Sequence, residues 1–353
     1  MTTNTRPVAV VTGATGGIGR ATVCELASRG YDVGLIARGE AGLQAAAAEV
    51  AERGGRACAV PTDVADAQAV EDAAAHIESE LGSIDVWVNN AMTTVFATIV
   101  DLEADEIRRA TEVTYLGAVY GTLAALRRMR PRDHGTVVFV GSALAFRGIP
   151  LQAAYCASKF AMRGFYDSLR TELLHERSGV RTTIVHMPAV NTTQFGWCRA
   201  KVRKFPQPVA PIYQPELCAA AIADAIVTGP RQKILGSWNW LVVQMAKIMP
   251  GVGDHFMARA GVGGQLTDID IDLDRPDDLF GPVDAEVDHG AHGIFGARSQ
   301  GVATPEFLRG LPHQATLFAS SALARRAEAS RHRPLFGLGS SSRRITQGRS
   351  SRR

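Results

Sequence analysis

The sequence predicts an α/β fold built on a doubly wound parallel sheet, and three observations carry that expectation. Short β-branched or apolar runs alternate with helical stretches from the N-terminus to about residue 235, the pattern of strand and crossover helix. The first run leads straight into a glycine loop that opens a helix. The polar residues with chemical promise fall just after strands, and in open parallel sheets ligands bind outside the carboxyl ends of the strands.

The elements follow in order. Val8 to Val11 reads as a strand buried on both faces. The loop after it holds Thr12, Gly13, Thr15, Gly17, Ile18 and Gly19, with a helix running on to Arg29-Gly30. Glycines let backbone approach a ligand closely, and a helix start offers unpaired N–H groups, so these six residues are candidates for holding a dinucleotide phosphate. A ligand-free glycine turn is the bland rival, weakened by the position between strand and helix. A second strand, Val33 to Ala37, ends in Arg38 rather than an acid. An acid at this point binds ribose hydroxyls, whereas an arginine accommodates a 2′-phosphate, so NADP (NADPH) is expected over NAD, with NAD as the alternative.

Ala41 to Arg53 is a helix with a glycine stop. Arg56 to Val60 is a third strand, followed by Asp63-Val64 and a helix from about Asp66 to Leu81. Ile84 to Val88 is a fourth strand, closed by Asn89-Asn90-Ala91. One long helix is expected from Asp105 to about Met129, stopped by Pro131. Thr136 to Val140 is the fifth strand and delivers Ser142; the next helix bears Tyr155 and Lys159 and runs to about Glu176. Val180 to His186 is a sixth strand, ending in the loop from Met187 to Thr193, and Lys233 to Leu235 is the last.

Four residues on a helix bring two side chains onto one face, so the Tyr155 phenol stands beside the Lys159 ammonium. A tyrosine with an ordinary pKa near ~10 is a poor acid or base at neutral pH, and a nearby cation favours its phenolate. Ser142 could hold a substrate oxygen by a hydrogen bond and stabilise charge growing on it. A tyrosine and lysine four apart are common in ordinary helices. Their place after the fifth strand, beyond a dinucleotide loop, gives them weight here.

From about Pro7 to about Ser237 the chain resembles the classical short-chain dehydrogenase/reductase family. The resemblance rests on Thr12, Gly13, Gly17 and Gly19, then Asp63, the run at Asn89, Ser142, and Tyr155 with Lys159, all in the family's order. It implies a Rossmann-type fold and an NAD(P)-dependent oxidoreductase interconverting an alcohol and a ketone or aldehyde. Tyr155 would be the acid/base; Lys159 would lower its pKa and hold the nicotinamide ribose, and Ser142 would position the substrate. Asp63 with Val64 would meet the adenine and Asn90 the adenosine side. The backbone after Pro188, with Val190 and Thr192, would meet the carboxamide. Three departures stand out: Met92 where the family has glycine, Ala189 where it has glycine, and Thr114 where it often has an asparagine that supports a proton relay. Extended nucleotide-sugar enzymes share the glycine loop, but the run at Asn89 and the Ser142–Tyr155 spacing favour the classical type.

The division expected is a catalytic domain over 7–237, an extension with an apolar helix over 238–319, and a basic Ser/Arg-rich tail over 320–353, read as disordered. The helical run from Trp238 to Met249 suits a core or subunit interface; peripheral membrane contact is the less favoured reading. Thr267 to Asp278 reads as an acidic surface segment. Asp288, His289 and His292 suggest a metal site, yet the intervening glycines favour a packed or solvated loop. A formal net charge of +3, with arginines gathered in the last stretch, gives no case for nucleic acid. Five scattered cysteines argue against a disulfide framework. With no secretory signal in the N-terminal stretch, a cytoplasmic homodimer or homotetramer acting on a small, hydrophobic alcohol or carbonyl is expected. A dinucleotide-binding scaffold or membrane-associated adaptor with little turnover is the alternative.

Overall fold

Seven parallel strands form the centre of the computed structural model, which describes residues 6–301. They are β1 (Val8–Thr12), β2 (Asp32–Ala37), β3 (Ala57–Pro61), β4 (Ile84–Asn89), β5 (Gly135–Ser142), β6 (Val180–Met187) and β7 (Gln232–Ile234). Their order across the sheet is 7-6-5-4-1-2-3, which reverses direction beside β1. That reversal opens a crevice at the carboxyl ends of β1 and β4.

The helices are α1 (Gly17–Ser28), α2 (Glu40–Glu52), α3 (Ala67–Leu81), α4 (Ala104–Thr111), α5 (Gly117–Met129), α6 (Ala153–His175), α7 (Pro215–Thr228), α8 (Ser237–Ile248) and α9 (Pro250–Ala260). Alternation along each strand sorts the core into two layers. Ala9 and Val11 face Val23, Leu43 and Ile222 of α1, α2 and α7. Val8 and Val10 face the layer containing Ile77, Ala125 and Met162 of α3, α5 and α6. Both faces being covered, β1 and β5 are buried at every position, which is why these strands read as unbroken apolar runs rather than alternating ones.

The expected single helix from Asp105 to Met129 is instead α4, a π turn over Glu112–Leu116, and α5. Gly117 and Gly121 are the helix-weakening residues in this stretch, and Gly117 directly follows the π turn; within the turn, Thr114 bonds the backbone of Thr93, described below.

The described stretch past Ser237, to residue 301, does not stand apart from the sheet, because it belongs to the same compact unit. Helix α8 buries only Asn239 and Val243 and leaves Trp240 and Ile248 exposed, so the apolar run packs only in part. Leu266–Asp270 pairs antiparallel with Lys204–Pro206, and Ser299–Gln300 pairs parallel with Ile212–Tyr213, which also pairs with Ala189–Val190. Between these strands the chain crosses the carboxyl edge of the sheet as an irregular strap. The tail over 320–353, and the extension after residue 301, lie outside the described residues. Among the described residues, no helix is long and apolar enough to cross a membrane.

Candidate active site

A cleft open to solvent lies where β1, β2 and β4 end. Its floor is the glycine loop. Gly13 and Gly17 have positive φ (66° and 53°), which only glycine adopts without strain. A Cβ on Gly13 would stand 2.9 Å from Ala91 Cα, and one on Gly19 would stand 1.9 Å from the Gly13 carbonyl oxygen. Helix α1 starts at Gly17 with no side-chain cap on its first turn, so its leading N–H groups face the cleft unclaimed by a side chain. That cradle suits a phosphate.

Of the predicted residues, Gly13, Thr15, Gly17 and Ile18 line this cleft, as do Arg38, Asp63, Val64, Asn90 and Thr192. Thr12 and Gly19 act one step back. The Thr12 hydroxyl accepts the N–H groups of Asn90 (3.0 Å) and Ala91 (3.1 Å), while Asn90 Nδ2 donates to the carbonyls of Thr12 (2.9 Å) and Gly13 (3.1 Å). These bonds lock the ends of β1 and β4 together. Pro188 leads into Ala189–Val190, whose pairing with Ile212–Tyr213 fixes the loop that carries Thr192.

Asp63 is not free. Its carboxylate takes a hydrogen bond from Arg109 Nη2 and another from Ala65 N–H, at 3.0 Å. Burial pushes this carboxyl up, but Arg109 and the Ala65 amide outweigh it and hold it below the ordinary value.

Next along the edge, at and beyond the end of β5, stand the three residues expected from the sequence to carry the chemistry. Ser142 is the last residue of β5, and its Oγ accepts the Leu144 N–H at 3.1 Å, opening a short turn. Tyr155 lies in the first turn of α6 and keeps part of its surface open. Burial pushes its phenol up to about 12, with the neighbouring Ser142 hydroxyl pulling the other way. Lys159, one turn on, is 2% exposed; its Nζ donates to the Val140 carbonyl at 2.7 Å and stands 5.6 Å from the Tyr155 ring centroid. Burial pulls its ammonium down to about 7. Desolvation thus moves the two groups in opposite senses, and both moves favour the neutral pair.

Thr114, in the π turn, is fully buried and committed to backbone: its hydroxyl donates to the Thr93 carbonyl (2.9 Å) and accepts the Thr93 N–H (3.1 Å). Phe195 and Trp197, in the segment after Pro188, take separate places. Phe195 packs against Phe96 and Phe295, whereas Trp197 lines the dinucleotide cleft with its ring against His289.

The sequence reading missed the strap. Asp278, Pro282, Val283 and Asp284 also line the cleft. Asp278, expected on the surface from its acidic segment, is only 9% exposed, its Oδ1 accepts from Thr93 Oγ1 at 3.0 Å, and burial pushes its carboxyl up to about 6. Arg38 Nη2 donates to the Asp278 carbonyl, and Arg38 Nη1 is buried with no partner among the described residues. Arg109 Nε donates to the Leu279 carbonyl at 2.9 Å. The suspected metal residues disperse: Asp288 pairs with Arg20 at 3.2 Å, His289 meets Trp197, and His292 meets Glu216 at 2.8 Å. No group of three possible metal ligands occurs among the described residues. Acidic alternation alone could not have signalled this, since a strap's register against a distant cleft is set by tertiary contacts.

The uncapped glycine cradle and the orphaned guanidinium nitrogen fit the phosphates of a dinucleotide, and the sheet order together with this edge defines a nicotinamide-dinucleotide oxidoreductase. The comparisons agree. The short chain dehydrogenase family profile matches residues 7–201. An uncharacterized oxidoreductase of Bacillus subtilis, YxnA, is 32% identical over 254 residues, covering 71% of this chain and 71% of its own. Among solved structures, an alcohol dehydrogenase from the archaeon Thermococcus sibiricus, complexed with 5-hydroxy-NADP, matches with a TM-score of 0.57 and 27% identity over 65% of this chain and 95% of its own. A xylitol dehydrogenase with NAD+ bound matches with a TM-score of 0.50 and 29% identity over 52% of this chain and 70% of its own. The chain belongs to the short-chain dehydrogenase/reductase family and is an NAD(P)-dependent dehydrogenase.

Proposed function

We propose that the chain interconverts a small alcohol and the corresponding ketone or aldehyde, with Tyr155 exchanging the proton on the substrate oxygen. The observation that carries this reading is the convergence of Ser142, Tyr155 and Lys159 at the end of β5, along the same sheet edge as the glycine cradle. A bound nicotinamide would supply or accept the hydride. With its phenol held up to about 12, Tyr155 is protonated at neutral pH and ready to donate to a carbonyl oxygen. Ser142 Oγ, beside it, would hold that oxygen and orient it. Oxidation of the alcohol needs the phenolate, and the charged form of Lys159 favours it. Thr114 acts through Thr93, holding the backbone at the rim of the cleft.

NADP is the preferred cofactor in this reading. Arg38 supports it, as a cation at the end of β2 with one nitrogen unpartnered. The similar solved structures include one complexed with an NADP derivative and one with NAD+ bound.

The test is turnover of NADPH against a panel of aldehydes and ketones. Tyr155→Phe should lower it about 10²- to 10⁴-fold, the usual worth of a positioned acid or base, while dinucleotide binding persists. Unchanged turnover would overturn the assignment of Tyr155. Dinucleotide binding by the wild type with no turnover on any substrate would favour the scaffold role. Arg38→Ala should weaken NADPH binding much more than NADH binding; equal losses would remove Arg38 from cofactor choice.

A further inference from the structure

We infer that Asp284, delivered by the C-terminal strap, reads the 2′ position of the adenosine ribose and opposes Arg38 in the choice between the two dinucleotides. This rests on the cofactor assignment proposed above and concerns a residue 246 positions beyond Arg38, the difference between 284 and 38.

Asp284 is 4% exposed and lines the cleft, yet its Oδ2 has no hydrogen-bond partner among the described residues. A buried carboxylate oxygen left without a donor is costly, so a ligand hydroxyl arriving in the cleft would relieve it. The site is built for the carboxylate: a Cβ on Gly39 would fall 1.9 Å from Asp284 Oδ1, and one on Gly42 would fall 2.5 Å from Oδ2. Any larger residue at either position would expel it. The strap is pinned there by the start of α2, where Gly42 N–H donates to the Asp284 carbonyl at 3.3 Å and Ala41 N–H to the Ala285 carbonyl at 3.2 Å. Helix α2 has no side-chain cap of its own.

The location gives the carboxylate its meaning. In sheets of this order the adenosine half of the dinucleotide lies over the end of β2, where an acid accepts from the ribose 2′-hydroxyl and a cation accommodates a 2′-phosphate. Here the residue that follows β2 is Arg38 rather than an acid. The acid comes instead from the far end of the chain, close enough that Asp284 acts electrostatically on Arg38. A 2′-hydroxyl can donate to Asp284 Oδ2, whereas a 2′-phosphate meets a second negative charge. Arg38 is also partly engaged by the strap, through the Asp278 carbonyl. One end of the cleft therefore holds two opposed determinants, and the strap supplies the one that favours NAD.

The experiment is direct titration of the full chain with NADPH and NADH, read as dissociation constants, on the wild type, Asp284→Asn, Asp284→Ser and Glu286→Gln. Asn is nearly isosteric and removes only the charge; Ser provides a second variant if Asn compromises folding, which circular dichroism checks. Both Asp284 variants should shift the NADH-to-NADPH ratio of dissociation constants toward NADPH by about tenfold or more. Glu286→Gln removes the same charge from an exposed position on the same strap and should leave the ratio unchanged. A ratio within twofold of wild type in the Asp284 variants, with or without a fall in thermal stability, would overturn the inference and leave Asp284 a cap for α2. An equal shift in Glu286→Gln would overturn it too, by making the effect one of overall charge. If neither dinucleotide binds any form of the protein, the cofactor assignment itself falls.

Discussion

His186 shows at the scale of one residue how the sheet's dryness governs chemistry near the site. It sits on β6 with no exposure, its Nδ1 3.2 Å from the Ser142 carbonyl and its ring 4.7 Å from that of Phe146; its Nε2 has no partner among the described residues. Burial pulls its imidazole down from 6.5 to about 4. Between those values the unfolded chain binds a proton that the folded chain refuses, so stability falls as pH drops from about 6.5 to about 4. A shift of this size corresponds to roughly 3 kcal/mol. Urea unfolding at pH 7 and pH 4.5 should show a shallower loss for His186→Gln than for the wild type. Tyr155 and Lys159 obey the same physics: their residue types were plain in the sequence, but the direction in which each is pushed depends on desolvation that only the folded strands impose.

At the scale of elements, the break between α4 and α5 is the clearest departure from what periodicity suggests. A π turn over Glu112–Leu116 widens the helix where Thr114 exchanges two hydrogen bonds with Thr93. Such turns recur at functional sites because they re-aim a side chain without ending the helix. Replacing Thr114 with valine keeps the shape but leaves a buried N–H and carbonyl of Thr93 without that partner. The expected cost is about 1–3 kcal/mol, measured by thermal denaturation, with turnover retained within a few fold. A loss of turnover at full stability would instead mark Thr114 as part of a proton relay. The glycines of the loop are legible in the sequence because positive φ at Gly13 and Gly17 is a local demand that glycine meets without strain, whereas the close approach of Ala91 to Gly13 and of Thr192 to Gly17 is set by the tertiary fold.

On the scale of the whole molecule, the strap joins the end of the described chain to its beginning. Leu279 is fully buried with Val95 and Ala97, and Arg109 holds its carbonyl. Asp288 pairs with Arg20 of α1, which is itself 2% exposed and bound to Glu49 of α2 at 2.9 Å. One wall of the dinucleotide cleft therefore depends on the packing of a segment distant in sequence. Leu279→Ala should destabilise the protein by about 2–5 kcal/mol through the cavity it leaves. It should also weaken dinucleotide binding, read by titration at a temperature where the variant remains folded. Undiminished binding would show that the strap does not hold the cleft in shape.

By itself the sequence determined the sheet, its seven strands, the glycine cradle and the identity of Ser142, Tyr155 and Lys159. Those features rest on local rules: β-branched runs, glycine sterics, and helical spacing of four. Tertiary structure alone decided the π turn at Thr114, the pairing of Asp63 with Arg109, and the burial of Asp278 and Asp284 against Arg38. An acidic, proline-containing segment looks solvated when judged by composition. It becomes a wall of the cofactor cleft because Leu279, Arg109 and the start of α2 draw it across the sheet edge, and no pattern within twenty residues of a site encodes a contact made from the other end of the chain.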